Sequence, residues 1–479
     1  MVKQVNSFMK QRELLRSNVA IYRALGCRHG DLFENDYQMF NDYSQQITCL
    51  EWSLEDVQKE IDLVISHNRL ELNGVHSEAG RLECVLMHRP GNEIRRLIPE
   101  NLSTLLFDAI PNLNDTHTSH DRFAEYLREQ DVNVLYVSDI LRATMIGSPL
   151  AFHELIDGII KNTDLSPEDK NCLRLWLEAR SPGQLARDVI EGVACTVDEL
   201  GQFDVNNLLS LNGFVVPPLP NMMFTRDSFS IIKNKVVIHK MAFSARQNEP
   251  LIMSIIFKYY PKFVEHFELI DWEQYVPHPA KATMEGGDLA YVGDGTLLIG
   301  WSQRTNRFAI DALAQAMFES GTLNRVIVVK VPENRDYMHL DTVLSSVGCN
   351  AFTLHARLAP LMDVYEVIPD ISSSTLWISR GTVETLGSVL GGETLTLYDS
   401  KMDNVSIEDQ INCRHNVLAI DAHHVVTYGG GDEENGIVTQ MRHDQKLSCI
   451  VFCLSTAGLL EGAGGAHCLT NALSRRSIE

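Results

Sequence analysis

From Phe214 to the C-terminus, short apolar runs recur with helix-periodic or turn-rich stretches between them. This alternation limits the chain to a mixed α/β architecture. The runs are Lys235–His239, Gly295–Gly300, Val326–Val331, Thr375–Ser379 and Asn416–Ile420, with a helical pattern at Arg307–Phe318 between two of them. Each has the length of a single strand. The same character begins at Arg81, where strand-like Glu83–His88 and Asn133–Ser138 lie on either side of a helical pattern through Asp121–Gln130. No fixed-period repeat is visible, so pattern alone predicts α/β and no repeat architecture.

Two stretches interrupt the alternation. Residues 141–213 read as a helical insertion, because Ser166-Pro167-Glu168-Asp169 and Ser181-Pro182 each place a capping serine before a proline. Leu173, Trp176 and Leu177 give the first of these helices an apolar stripe, which is core packing and not a cofactor site. Residues 1–73 read as an N-terminal helical extension. Ser53 with Asp56 marks a helix start, and Leu54, Val57, Ile61, Val64 and Ile65 fall on one face. The α/β part then comprises residues 74–140 and 214–479.

The balance of 41 basic against 63 acidic residues leaves a net charge of −22. Nucleic acid or an anionic membrane as main partner is disfavoured, since both need a basic footprint; a small cation suits the field better. No run approaches ~18 apolar residues, the length of a membrane span, and Met1–Arg16 lacks the apolar stretch of a secretory signal. The ten cysteines show no paired spacing. Cys449 and Cys453 share one face of the strand-like Ser448–Leu454 and are expected in a core, and a reducing cytoplasm is the expected setting. A homo-oligomer is compatible with all of this.

Five patches set polar side chains beside strands and turn residues. Pro220–Asp227 carries Asn221, Phe224 and an Arg226-Asp227 pair, readable as a structural ion pair or as a carboxylate aimed at a cation. Glu285-Gly286-Gly287-Asp288 precedes a strand-like run; its glycines permit close backbone approach but lack the Lys-Ser/Thr of a phosphate loop. His339 and Asp341 are two apart, so an extended backbone would turn imidazole and carboxylate to one side. Arg246 and Arg304 suit an anionic substrate group. Cys468, in Gly464-Gly465-Ala466-His467-Cys468, is a candidate nucleophile with a base and acids elsewhere in the chain. No paired Cys or His spacing argues for a metal.

These segments resemble the bacterial arginine deiminases, in family order, from Val75–Gly80 and Val85–Gly91 through Leu105–Asp108 and His120–Phe123. Phe224–Asp227, Glu285–Asp288, Met338–Asp341 and Gly464–Cys468 complete a match over roughly residues 74–479. The resemblance implies a five-bladed α/β propeller of the pentein, or guanidino-modifying, superfamily. It implies that Cys468 attacks the guanidinium carbon of L-arginine and that Asp227 and Asp341 grip its nitrogens. His339 would serve as acid and then base, with Glu285 orienting it. Arg246, Arg304 and Asn221 would bind the substrate carboxylate, with Phe224 as an aromatic wall and neither metal nor organic cofactor. One departure stands inside the site: the loop Gly462-Ala463-Gly464-Gly465 has alanine where the family has an arginine. Leu469–Ala472 also differs from the usual stretch after the nucleophile. The alanine leaves two other readings open: a related guanidine hydrolase or amidinotransferase with another substrate, and an arginine-binding protein without turnover.

Overall fold

The computed structural model describes residues 70–194, 213–278, 281–348, 350–372, 374–390, 395–399, 403–429, 436–444 and 449–478. The helix expected at 53–65 lies outside these residues. Two compact units divide the described chain. One draws on Ser138–Pro218 and Lys258–Val264, the other on Glu71–Val137, Leu219–Phe257 and Glu265–Glu479.

The smaller unit is helical because its sequence starts and stops helices cleanly. Helices run over Pro149–Lys161, Pro167–Glu178 and Pro182–Glu191. Ser166 Oγ accepts from Asp169 N–H, and Ser181 with Gln184 forms a reciprocal capping box. Leu173 and Leu177 are fully buried. Trp176 departs from the expected core stripe: it is half-buried, with the Arg180 guanidinium 3.4 Å from the centre of its ring.

In the larger unit the alternation of strands and helices resolves into five sheets among the described residues. Each contains the same motif: an antiparallel strand pair, then a helix, then a third strand parallel to the second. Leu289–Gly293 pairs antiparallel with Thr296–Trp301, which runs parallel to Arg325–Lys330 after the helix Arg307–Glu319. Phe229–Ile232, Lys235–Ile238 and Glu268–Leu269 repeat it, as do Ser346–Gly348, Ala351–Thr353 and Thr396–Tyr398. Leu418–Asp421, His424–Tyr428 and Ile450–Leu454 form the next copy. The remaining sheet joins both ends of the described chain: Asn471–Arg475 is antiparallel to Leu82–Met87, which is parallel to Asn133–Tyr136.

The repeat escaped a fixed-period reading because its copies carry different insertions. The hairpin of Asp363–Asp370 and Ser374–Thr382 falls between strands of one copy yet extends the sheet of another through Arg325–Lys330. The helix Arg307–Glu319 shows how each copy is held. Ile310, Leu313 and Met317 are buried in one cluster with Leu297, Ile299, Val326 and Val328 of the sheet beneath. Each such side chain contributes roughly 1.5–3 kcal/mol.

Candidate active site

Asp227, Glu285, His339, Asp341 and Cys468 stand in the turns that enter the first strand of four copies, whereas Arg246 and Arg304 follow the second strand of theirs. Thr225–Asp227, Gly286–Asp288 and Leu340–Thr342 are single 3-10 turns, and Cys468 lies just ahead of Asn471–Arg475. Strands of one orientation deliver these turns, and their side chains converge. Asn221, Phe224, Asp227, Arg246, Arg304, His339 and Cys468 line one pocket, closed on one side by Leu106 and Gly462–Gly464. Glu285 and Asp341 stand immediately behind it.

The buried charges form two networks. In the first, Arg246 Nη1 donates to Asp227 Oδ2 at 2.7 Å and Nη2 to Glu249 Oε2 at 2.8 Å. Glu285 Oε2 accepts from Arg304 Nη1 at 3.1 Å and meets His339 Nε2 at 2.8 Å. In the second, Arg226 pairs with both oxygens of Glu78 at 3.3 Å. The His467 ring bridges Glu78 Oε1 at 2.9 Å and Asp341 Oδ2 at 2.8 Å, and Cys468 Sγ lies 3.5 Å from that same Asp341 oxygen.

Two expectations about pairing differ from these contacts. Arg226 and Asp227 do not form an ion pair with each other: the peptide turn sends Arg226 to Glu78 and Asp227 to Arg246. His339 is extended, but the backbone then turns, so imidazole and Asp341 serve different networks and do not lie side by side on one strand. The glycine pair permits the close approach expected of it: a Cβ on Gly287 would stand 2.7 Å from His339 Nδ1. Asn221 gives its Nδ2 to the Leu105 carbonyl at 2.7 Å.

Electrostatics follow from this packing. Burial opposes the His339 imidazolium, but Asp227, Glu285 and Asp288 outweigh it and lift the pKa to about 9. Burial likewise opposes the Glu285 carboxylate, and Arg304, His339 and Arg246 overcome it, holding this acid ionised. Burial first, then the charges of Asp341 and Asp227, push the Cys468 thiol well above its ordinary value. Burial also raises Asp288 and Glu249 to about 7. Among the described residues, Asp227, Glu285 and His339 offer donor atoms within 4.8 Å of one another, a spacing that could hold a metal ion. Those atoms are engaged by Arg246, Arg304 and each other, so a guanidinium already fills the cationic role.

Glu78, Glu249, Asn416 and His467 were not legible as site residues. His467 had a signal, being adjacent to the nucleophile, and Glu249 sits one helical turn from Arg246. Glu78 and Asn416 had none locally. Asn416 read as a strand residue, whereas the strand begins at Leu418.

The arginine deiminase family model matches residues 103–475. The chain belongs to the arginine deiminase family. The arginine deiminase of Staphylococcus haemolyticus is 32% identical over 417 residues, covering 84% of this chain and 98% of that protein. That of Rhodococcus erythropolis is 30% identical, covering 84% and 97%. Among solved structures, an amidinotransferase of saxitoxin biosynthesis from Microseira wollei is 14% identical with a TM-score of 0.49, over 85% of this chain and 98% of the other. No helix among the described residues is long and apolar enough to cross a membrane.

Proposed function

We propose that this chain hydrolyses L-arginine to L-citrulline and ammonia through a covalent amidino-cysteine intermediate. Membership of the arginine deiminase family supports the substrate, and one observation carries the chemistry. A thiol kept neutral by burial and then by Asp341 and Asp227 faces, within one pocket, a histidine kept protonated by Asp227 and Glu285. A guanidinium entering beside Asp227 and Asp341 offsets their charge, so substrate itself favours the thiolate and the thiol proton leaves to solvent.

The Cys468 sulfur then forms a bond to the guanidinium carbon. As the adduct collapses, the C–N bond to one terminal nitrogen breaks, and His339 gives its proton to the departing ammonia. Neutral His339 next takes a proton from water as the oxygen bonds to the same carbon. The C–S bond breaks, the departing Cys468 sulfur takes up the proton left on that oxygen, and the urea group of citrulline remains. Glu285 keeps the His339 ring in place through both steps. Asp227 and Asp341 hold the guanidinium nitrogens by charge-assisted hydrogen bonds.

Arg246 and Arg304, both paired with carboxylates here, meet the substrate α-carboxylate when its guanidinium takes over Asp227 and Glu285. Asn221 and Phe224 complete the wall. We also read the five sheets as blades of a five-bladed propeller, because one motif recurs and the two ends of the described chain share a sheet. Release of citrulline and ammonia in equal amounts from purified protein tests the activity. Cys468→Ala is expected to lower turnover by at least about 10⁴-fold, and mass spectrometry of quenched wild type to show the adduct on the Cys468 peptide. Absence of product with arginine, but turnover of another guanidine, would move the substrate elsewhere within the same chemistry.

A further inference from the structure

Four of the five repeats place a candidate reactive group in the turn before their first strand: Asp227, Glu285, His339 with Asp341, and Cys468. The fifth begins its first strand at Leu418, and the residue at the corresponding turn is Asn416, completely buried. Its side-chain oxygen accepts from the Cys468 backbone N–H at 3.0 Å. A backbone N–H can only donate, so this bond fixes the orientation of the amide. The Nδ2 group must then point the other way, where it lies 3.1 Å from Cys468 Sγ and 3.2 Å from the Asp341 carbonyl.

We propose that Asn416 is a further catalytic residue, donating a hydrogen bond to the Cys468 sulfur that favours the thiolate and aims it at the guanidinium carbon. The inference rests on the reading of Cys468 as nucleophile given above. The surroundings of the sulfur explain why a donor is needed. Asp341 Oδ2 is a proton acceptor 3.5 Å away, and burial removes water as an alternative partner. Both oppose the anion, and a fixed N–H opposes them without adding a charge that would repel a cationic substrate.

The glycine run before the nucleophile is consistent with this role. A Cβ on Gly465 would come within 2.6–2.9 Å of the Asn416 side-chain atoms Cβ, Oδ1 and Cγ. Only glycine leaves room for the amide to lie against the backbone of the nucleophile's own turn.

The experiment reads thiolate formation apart from turnover. Alkylation of Cys468 by iodoacetamide is followed at its peptide by mass spectrometry, from neutral to alkaline pH, in wild type, Asn416→Ala and Asn416→Asp. Asn416→Asp keeps the shape and the acceptor for the Cys468 N–H, and covers the case in which the alanine variant does not fold. Both variants are expected to shift the alkylation profile to higher pH, the aspartate more. The kcat of the alanine variant should fall about 10- to 100-fold, with KM for arginine little changed. A profile superimposable on wild type overturns the proposal even where kcat falls, because a role in positioning alone would lower kcat and leave the titration unmoved. A kcat within about twofold of wild type also overturns it. If wild type does not turn over arginine, the substrate reading fails while the alkylation comparison still decides the role of Asn416.

Discussion

In the helices Pro149–Lys161, Pro167–Glu178 and Pro182–Glu191, the buried side chains are apolar and the caps are made by sequence neighbours: Ser148 with Ala151, Ser166 with Asp169, Ser181 with Gln184. In the turns before the sheets, the buried side chains include carboxylates, guanidiniums and imidazoles, and their partners are far away in the chain. Arg226 meets Glu78, Asn416 meets Cys468, and His467 meets both Glu78 and Asp341. The helices are stabilised by what they remove from water. The turns hold a costly set of charges whose stability depends on every partner being present. Substitutions in the two regions should therefore separate stability from chemistry.

The largest effect is expected at Arg246. Its guanidinium compensates Asp227 and Glu249 directly and lies 3.8 Å from Glu285. Arg246→Ala leaves buried carboxylates facing one another, at a cost of about 3–5 kcal/mol in unfolding free energy, and turnover should be lost as well. Urea denaturation checks the first and citrulline release the second. Leu177→Ala is the counterpart among the helices: a fully buried leucine whose removal costs about 2–5 kcal/mol through its cavity. Its kcat should match wild type in the folded fraction. A Leu177→Ala enzyme with lowered kcat but unchanged stability would show that the helices take part in the chemistry.

A smaller and more selective effect lies in pH. The folded-state pKa of His339 is raised from 6.5 to about 9, so its contribution to stability is complete below the unfolded value and is lost as pH rises through about 9. Asp288 and Glu249, raised to about 7, act with the same sign over their own lower range. Wild type should therefore lose stability from neutral to alkaline pH. His339→Gln should flatten the part of that slope between about 7 and 9 while lowering kcat roughly 10²–10⁴-fold. Thermal melts across pH read the first. An unchanged slope would mean that the imidazole is not the titrating group.

How far the sequence reaches follows the same division. The capping serines at 166 and 181 were legible because their partners are three residues away, and the strand runs were legible because their periodicity is local. Cys468, His339, Glu285, Asp227 and Asp341 were legible as reactive residue types in turn-like settings. Their mutual pairing was not, since Asp227 chooses Arg246 over its neighbour Arg226 only when the antiparallel pair Phe229–Ile232 and Lys235–Ile238 brings the turn before one strand beside the turn after the other. The repeat was hidden by unequal insertions. Asn416 was hidden twice, by an apolar run that absorbed it into a strand and by an amide that carries no charge to attract notice.

The smallest effect is expected at Ala463, which sits in the site yet owes its conformation to a local turn. Ala463 has φ 59° and ψ 33°, the left-handed conformation, and lines the pocket with Arg246 and Arg304. That conformation costs a non-glycine residue roughly 1–2 kcal/mol, while glycine surrenders about 0.4–1 kcal/mol in extra freedom of the unfolded chain. Ala463→Gly should thus stabilise by about 1 kcal/mol or less, a small rise in melting temperature. If the methyl group only tolerates its place, KM for arginine stays put. If it presses the loop onto the substrate, KM rises while the melting temperature still increases. The two quantities moving apart would show that this turn, like those bearing the charges, holds strain for binding and not for stability.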